Sequence, residues 1–87
     1  MLRAYILVDT STDADLLHSA SQILHIKHVR TIATTTGSHD FVVRVECEEE
    51  GALEETIIEI RKMEGIKKTE TLVVLSESTP ERDRAIR

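Results

Sequence analysis

Tryptophan is missing from this 87-residue chain, and Tyr5 and Phe41 are its only aromatic residues. Single-stranded nucleic acid is held largely by bases stacked on aromatic rings, so this supply argues against such a binder. Positive charge is short as well: 11 Lys and Arg against 16 Asp and Glu leave a formal charge of −5. Binding a duplex through its phosphates needs clustered Lys and Arg, so direct nucleic-acid contact is not expected. The single cysteine, Cys47, has no partner for an internal disulfide and suits a reducing compartment. Long apolar runs are absent too. The stretch from Met1 to Val8 is broken by Asp9 and is too short to span a membrane. No small-residue cleavage site follows a long apolar core, so no signal peptide is read and the expected location is the cytoplasm.

What remains is ordinary globular material, 40% hydrophobic and 31% charged. At this length it is one small domain. A chain of this size buries only roughly 60–65% of its unfolded surface. It must be tightly patterned, or find a partner that covers more of it.

Ala4 to Val8 reads as a strand, bounded by the turn cluster Asp9-Thr10-Ser11-Thr12. Thr12 and Asp15 have capping-box spacing, and Leu16, Leu17, Ala20, Ile23 and Leu24 follow at helical spacing. Val29 to Thr36 is β-branched and reads as a second strand, Gly37-Ser38-His39 as a turn, and Asp40 to Cys47 as a third strand. In that third strand Phe41, Val43, Val45 and Cys47 share one face. After the polar connection Glu48-Glu49-Glu50-Gly51, residues Leu53, Ile57, Ile60 and Met63 trace a second helix that stops at Gly65. Thr69 to Leu75 is the fourth strand. Residues 1–76 thus form the folded domain, and 77–87, with Pro80 and few apolar residues, a C-terminal tail.

The order β-α-β-β-α-β, with right-handed crossovers, gives a ferredoxin-like α+β fold: a four-stranded antiparallel sheet with two helices on one face. The two halves echo each other, Ile26-Lys27 and Ile66-Lys67 each following a helix. Helices on one face leave the other open, yet the strands are apolar on both. Ala4, Ile6 and Val8 oppose Tyr5 and Leu7, and Leu72 and Val74 oppose Val73 and Leu75. An uncovered apolar sheet face is adhesive. At roughly 25 cal/mol per Å² of apolar area, hiding it is worth several kcal/mol. The expected cover is a second copy, sheet against sheet, in a homodimer. The tail offers mainly Ala85 and Ile86 as an alternative.

The densest polar cluster is Thr34-Thr35-Thr36-Gly37-Ser38-His39-Asp40, between strands two and three. Its hydroxyls and turn N–H groups suit the carboxylate end of a small zwitterion, and Asp40 suits the ammonium end. The same composition also fits a polar hairpin tip whose Ser and Asp satisfy their own backbone. A catalytic relay through Ser38, His39 and Asp40 is disfavoured because adjacent residues on an extended chain point to opposite sides. His18 and His25 lie two helical turns apart, about 10 Å, and His28 falls beyond the helix. No tetrahedral metal set is completed, and no cofactor is implied.

The helix followed by a Val-led strand, then Thr36-Gly37-Ser38-His39-Asp40 and Phe41-Val42-Val43, closely resembles the effector domain of Lrp/AsnC regulators. This module is also called RAM, for regulation of amino-acid metabolism. Gly65-Ile66 and Thr69-x-Thr71-Leu72-Val73-Val74-Leu75 match its closing segment. The resemblance covers about residues 2 to 76. It implies a homodimer of α/β-barrel type, dimers gathered into a ring (commonly an octamer), and an amino-acid effector bound between dimers near the Gly-x-x-Asp turn. The implied ligand-binding residues are Gly37 and Asp40, with Thr36, Ser38 and His39 as neighbours. Full-length members carry an N-terminal helix-turn-helix, whereas here the first strand starts at the first residues. The expectation is therefore a non-enzymatic effector domain that acts on a full-length regulator by mixed assembly, or senses by itself. The alternative is a small cofactor-independent enzyme on the same dimeric frame, a monooxygenase or isomerase with His39 as base. His39 stands where the family often has an aromatic residue.

Overall fold

In the computed structural model, which describes residues 1–80, six elements follow one another. They are β1 (Leu2–Thr10), α1 (Leu16–Leu24), β2 (Val29–Thr34), β3 (Phe41–Cys47), α2 (Glu50–Lys62) and β4 (Ile66–Val73). The strands form one antiparallel sheet in the order β2-β3-β1-β4. This is the ferredoxin-like α+β arrangement expected from the element order. The two central strands, β1 and β3, alternate strictly: Ala4, Ile6 and Val8 pair with Val45, Val43 and Phe41 and are buried. Ile23 of α1 and Leu53 and Ile60 of α2 close this face from above. Period-two alternation on the sheet and helical spacing on its cover therefore converge on one core. Cys47 belongs to that core, 3% exposed.

Several boundaries differ from the sequence reading. The α1 cap is Asp15, whose Oδ1 accepts from the His18 N–H at 3.2 Å. The expected Thr12 box does not form, because the helix starts one turn later, at Leu16. Glu50 and Gly51 are helical, so the polar connection is shorter than its composition suggested. There Glu50 in the first turn and Arg61 and Lys62 in the last suit the helix dipole. The stop of α2 is the extended backbone of Met63, and Gly65 follows with φ +89°. β2 ends at Thr34, and β4 spans Ile66–Val73, beginning and ending earlier than Thr69 to Leu75.

The internal echo is real but falls elsewhere. His28 (φ +77°) and Gly65 (φ +89°) each enter a strand through the same turn. The Val29 N–H donates to the Ile26 carbonyl at 3.2 Å, and the Ile66 N–H to the Met63 carbonyl at 3.3 Å. Structurally, then, Ile66 corresponds to Val29, not to Ile26. The left-handed residue and the apolar strand opener define the repeat, and the Ile-Lys matches do not.

On the face away from the helices, Tyr5, Leu7 and Val42 are half-buried and Leu72 is 46% exposed. Charge frames this strip. Glu46 pairs with Arg44 at 2.7 Å and Arg30 at 3.3 Å. Glu77, from the segment after β4, reaches Arg3 at 2.8 Å and accepts from the Tyr5 hydroxyl at 3.2 Å. The tail thus approaches the open face through a polar residue. Ala85 and Ile86, its candidate apolar cover, lie outside the described residues.

Candidate functional site

The β2–β3 connection is built on a clamp from a distant strand. β1 pairs with β3 as far as Val8 opposite Phe41. Beyond that point the Asp40 N–H still donates to the Val8 carbonyl at 2.9 Å. Then the side chain takes over from the ladder: Asp40 Oδ2 accepts from the Thr10 N–H at 2.8 Å and the Thr10 hydroxyl at 2.7 Å. The β1–β4 register shifts at Asp9/Thr10, the same point. Such irregularities re-aim the chain at strand ends.

Two donors on one carboxylate oxygen favour the ionised form. The Thr10 N–H first, and then its hydroxyl, hold the Asp40 carboxyl below its ordinary value of 3.8. Partial burial works against this, and the neighbouring His39 lowers it further. Asp40 Oδ1 accepts no hydrogen bond among the described residues.

Within the loop, the Thr35 N–H donates to the Asp40 carbonyl at 3.0 Å and the Thr35 hydroxyl to the His39 carbonyl at 2.8 Å. Gly37 takes φ +100° at the apex, and a Cβ there would meet nothing within 4 Å. Only the backbone conformation calls for glycine at this point, and nothing crowds the apex. Thr36, Gly37 and Ser38 are exposed, and the hydroxyls of Thr36 and Ser38 make no hydrogen bond among the described residues. Asp40 is tied to β1, thirty residues away in sequence, and not to its own turn. His39 Nδ1 lies 2.8 Å from Asp9 Oδ1 across the same strand junction. An ionised carboxylate only accepts, so the proton of that bond sits on Nδ1.

Of the five residues expected at the site, the structure brings Asp40 and His39 against β1 and leaves Thr36, Gly37 and Ser38 at the apex. Asp9, Thr10 and Thr35 were missed. Asp9 and Thr10 had been read as part of a turn cluster, and Thr35 as one of three similar threonines. The signal lay in strand pairing: once β1 and β3 are neighbours and antiparallel, the residues after Val8 must meet those before Phe41.

The remaining histidines stay apart from the tip. His18 is exposed on α1 and His25 at its C-terminal cap, and no group of three His, Cys, Asp or Glu side chains among the described residues is placed to hold a metal ion. No helix among them is long and apolar enough to cross a membrane.

Residues 3–83 match the family model described as Lrp/AsnC ligand binding domain. Comparison with curated protein sequences finds no match. Among solved structures, the chain is similar to the hypothetical protein PHS023 of Pyrococcus horikoshii, with a TM-score of 0.77 and 29% identity. That alignment covers 88% of this chain and 93% of the other. E. coli AsnC superposes with a TM-score of 0.82 at 24% identity, over 90% of this chain and 53% of AsnC. The feast or famine regulatory protein of M. tuberculosis complexed with L-methionine gives 0.77 at 20%, over 94% and 55%. The chain therefore spans nearly all of the Pyrococcus protein and about half of each of the two regulators. At these identities the two regulators show the fold alone.

Proposed function

The chain belongs to the Lrp/AsnC ligand-binding domain family, and from that premise we propose that it is a regulatory domain whose effector is an amino acid or a close relative of one. The M. tuberculosis relative, complexed with L-methionine, supports this choice of ligand class. The observation that carries the reading is the β2–β3 tip itself. A clamped carboxylate with one oxygen to spare stands beside a turn with exposed hydroxyls and backbone. Asp40 Oδ1 receives the ammonium group, and the effector carboxylate is met by Thr36, Ser38 and the N–H groups around Gly37. His39, steadied by Asp9, faces the part of the ligand that varies. A second copy covers the Tyr5–Leu7–Val42–Leu72 face, and dimers gather into a ring, commonly an octamer, that places tips at subunit boundaries. The domain does not bind DNA itself and acts on a full-length regulator by mixed assembly, or senses alone.

Calorimetric titration of the full chain across the twenty amino acids tests this. At least one is expected to release or absorb heat saturably and to raise the melting temperature, as a ligand of the native state must. Flat heats and unchanged melting for all twenty would defeat the proposal. Asp40→Ala is expected to weaken binding while the oligomer persists; wild-type affinity in that variant removes Asp40 from the ammonium role.

The His39–Asp9 pair favours one other reading, an enzyme with His39 as an oriented base. Clefts of about 250 to 640 Å³ elsewhere on the described residues are lined by other side chains. An enclosed substrate pocket beside the base is what that reading requires. Recovery of the titrated amino acid unchanged separates the two; conversion abolished by His39→Ala would favour the enzyme.

A further inference from the structure

Away from the tip, a cleft of about 640 Å³ opens between the N-terminal end of α1 and the turn that leads into β4. Ser19 lies in its wall, only 4% exposed. The Ser19 hydroxyl makes no hydrogen bond among the described residues. The other buried hydroxyl, that of Thr56, donates to the Ala52 carbonyl at 2.9 Å and also approaches the Lys27 carbonyl at 3.4 Å. Few side chains this buried leave a hydroxyl unpaired, and this one opens to the cleft instead of being sealed in protein, so a ligand group in the cleft can reach it. Gly65 keeps the cleft open. A Cβ there would come 3.3 Å from the Ala14 Cβ and 3.9 Å from Ser19 Oγ, into the space beside the hydroxyl.

The rim sets the sign of the partner. Among the described residues, Asp13, Asp15 and Glu64 line the cleft and no Lys or Arg does; His18 is the one basic group there. Asp15 Oδ1 is committed to the α1 N-terminus through the His18 N–H, while Asp13 and Glu64 make no ion pair among the described residues. The helix end contributes about half a positive charge, less than the two uncommitted carboxylates. A bare metal ion is not the match, because no three ligating side chains converge among the described residues.

We propose that this cleft binds a small organic cation, with a primary ammonium group shared between the Ser19 hydroxyl and the Glu64 or Asp13 carboxylate. The site lies on different elements from the effector tip and stands independently of it.

Putrescine is the probe, titrated into the 15N-labelled full chain while the amides of Ala14, Ser19 and Gly65 are followed. Parallel titrations use 1,4-butanediol and sodium chloride at matched ionic strength. Saturable shifts at these amides are expected with putrescine alone. Ser19→Ala and the double variant Asp13→Asn/Glu64→Gln, each keeping wild-type amide dispersion, are expected to weaken binding by about two- to fivefold, the range of exposed charge pairs. Asp40→Asn is expected to leave it unchanged. The proposal is overturned by equal shifts with the diol or with salt, by shifts that do not saturate, or by wild-type affinity in either cleft variant. A loss of binding in Asp40→Asn, which would place the diamine at the tip, overturns it too.

Discussion

Asp40 has one job in the fold and a second in the proposed function, divided between its two oxygens. Oδ2 ends the β1–β3 ladder by accepting from Thr10, and Oδ1 is the oxygen proposed to meet the effector. Because these hydrogen bonds depress the folded-state pKa, Asp40 stabilises the fold fully above its unfolded value. That contribution is lost as pH falls through the lower folded value. Wild type is therefore expected to lose stability as pH drops below about 4, and Asp40→Asn to show a shallower decline in that window when urea midpoints are compared. Thr10→Val keeps the N–H and removes the hydroxyl, so effector affinity should fall less than in Asp40→Ala; calorimetry of both variants ranks them. The sequence made the polar tip legible, since Thr36 to Asp40 combine a flexible apex with hydroxyls and a carboxylate. It could not reveal that Asp40 serves β1 first, because that follows from a register between strands thirty residues apart.

Elements were legible in kind and imprecise at their ends. Alternation in β1 and β3 and the helical spacing in α2 are dictated by which face is buried, and burial leaves a strong periodic trace. Termini are decided by single hydrogen bonds and dihedrals. Asp15 outcompetes Thr12 as the α1 cap for that reason, and Met63 ends α2 before Gly65 is reached. The paired turns before β2 and β4 make a quantitative comparison. Gly65→Ala places a Cβ at φ +89° and 3.3 Å from the Ala14 Cβ, and should destabilise by about 1–3 kcal/mol. His28→Gly relieves a left-handed conformation at φ +77° against the added freedom of the unfolded chain. It should be neutral or stabilising by up to about 1 kcal/mol. Equilibrium urea unfolding of the two variants measures both, and equal destabilisation would dissolve the structural equivalence of the turns.

At the scale of the molecule, one sheet face is sealed by α1 and α2 and the other is a half-exposed apolar strip inside a frame of ion pairs. Two-faced strands announced that strip in the sequence. The polar frame, including the Glu77 contacts with Arg3 and Tyr5, was not foreseeable, since it depends on where the chain turns after β4. The proposed second copy rests on this surface. Leu7→Lys sets a charge in the strip but directly across from Glu70 on β4, where an opposite-charge pair is tolerated by a lone sheet. It should separate the copies without unfolding them. Sedimentation velocity of the wild-type chain beside Leu7→Lys is the most direct test of the account. A wild-type particle of at least twice the 9.8 kDa chain mass, reduced to a folded single copy by the substitution, is the predicted result. A wild-type chain that sediments as one folded copy, with and without amino acids, would contradict it.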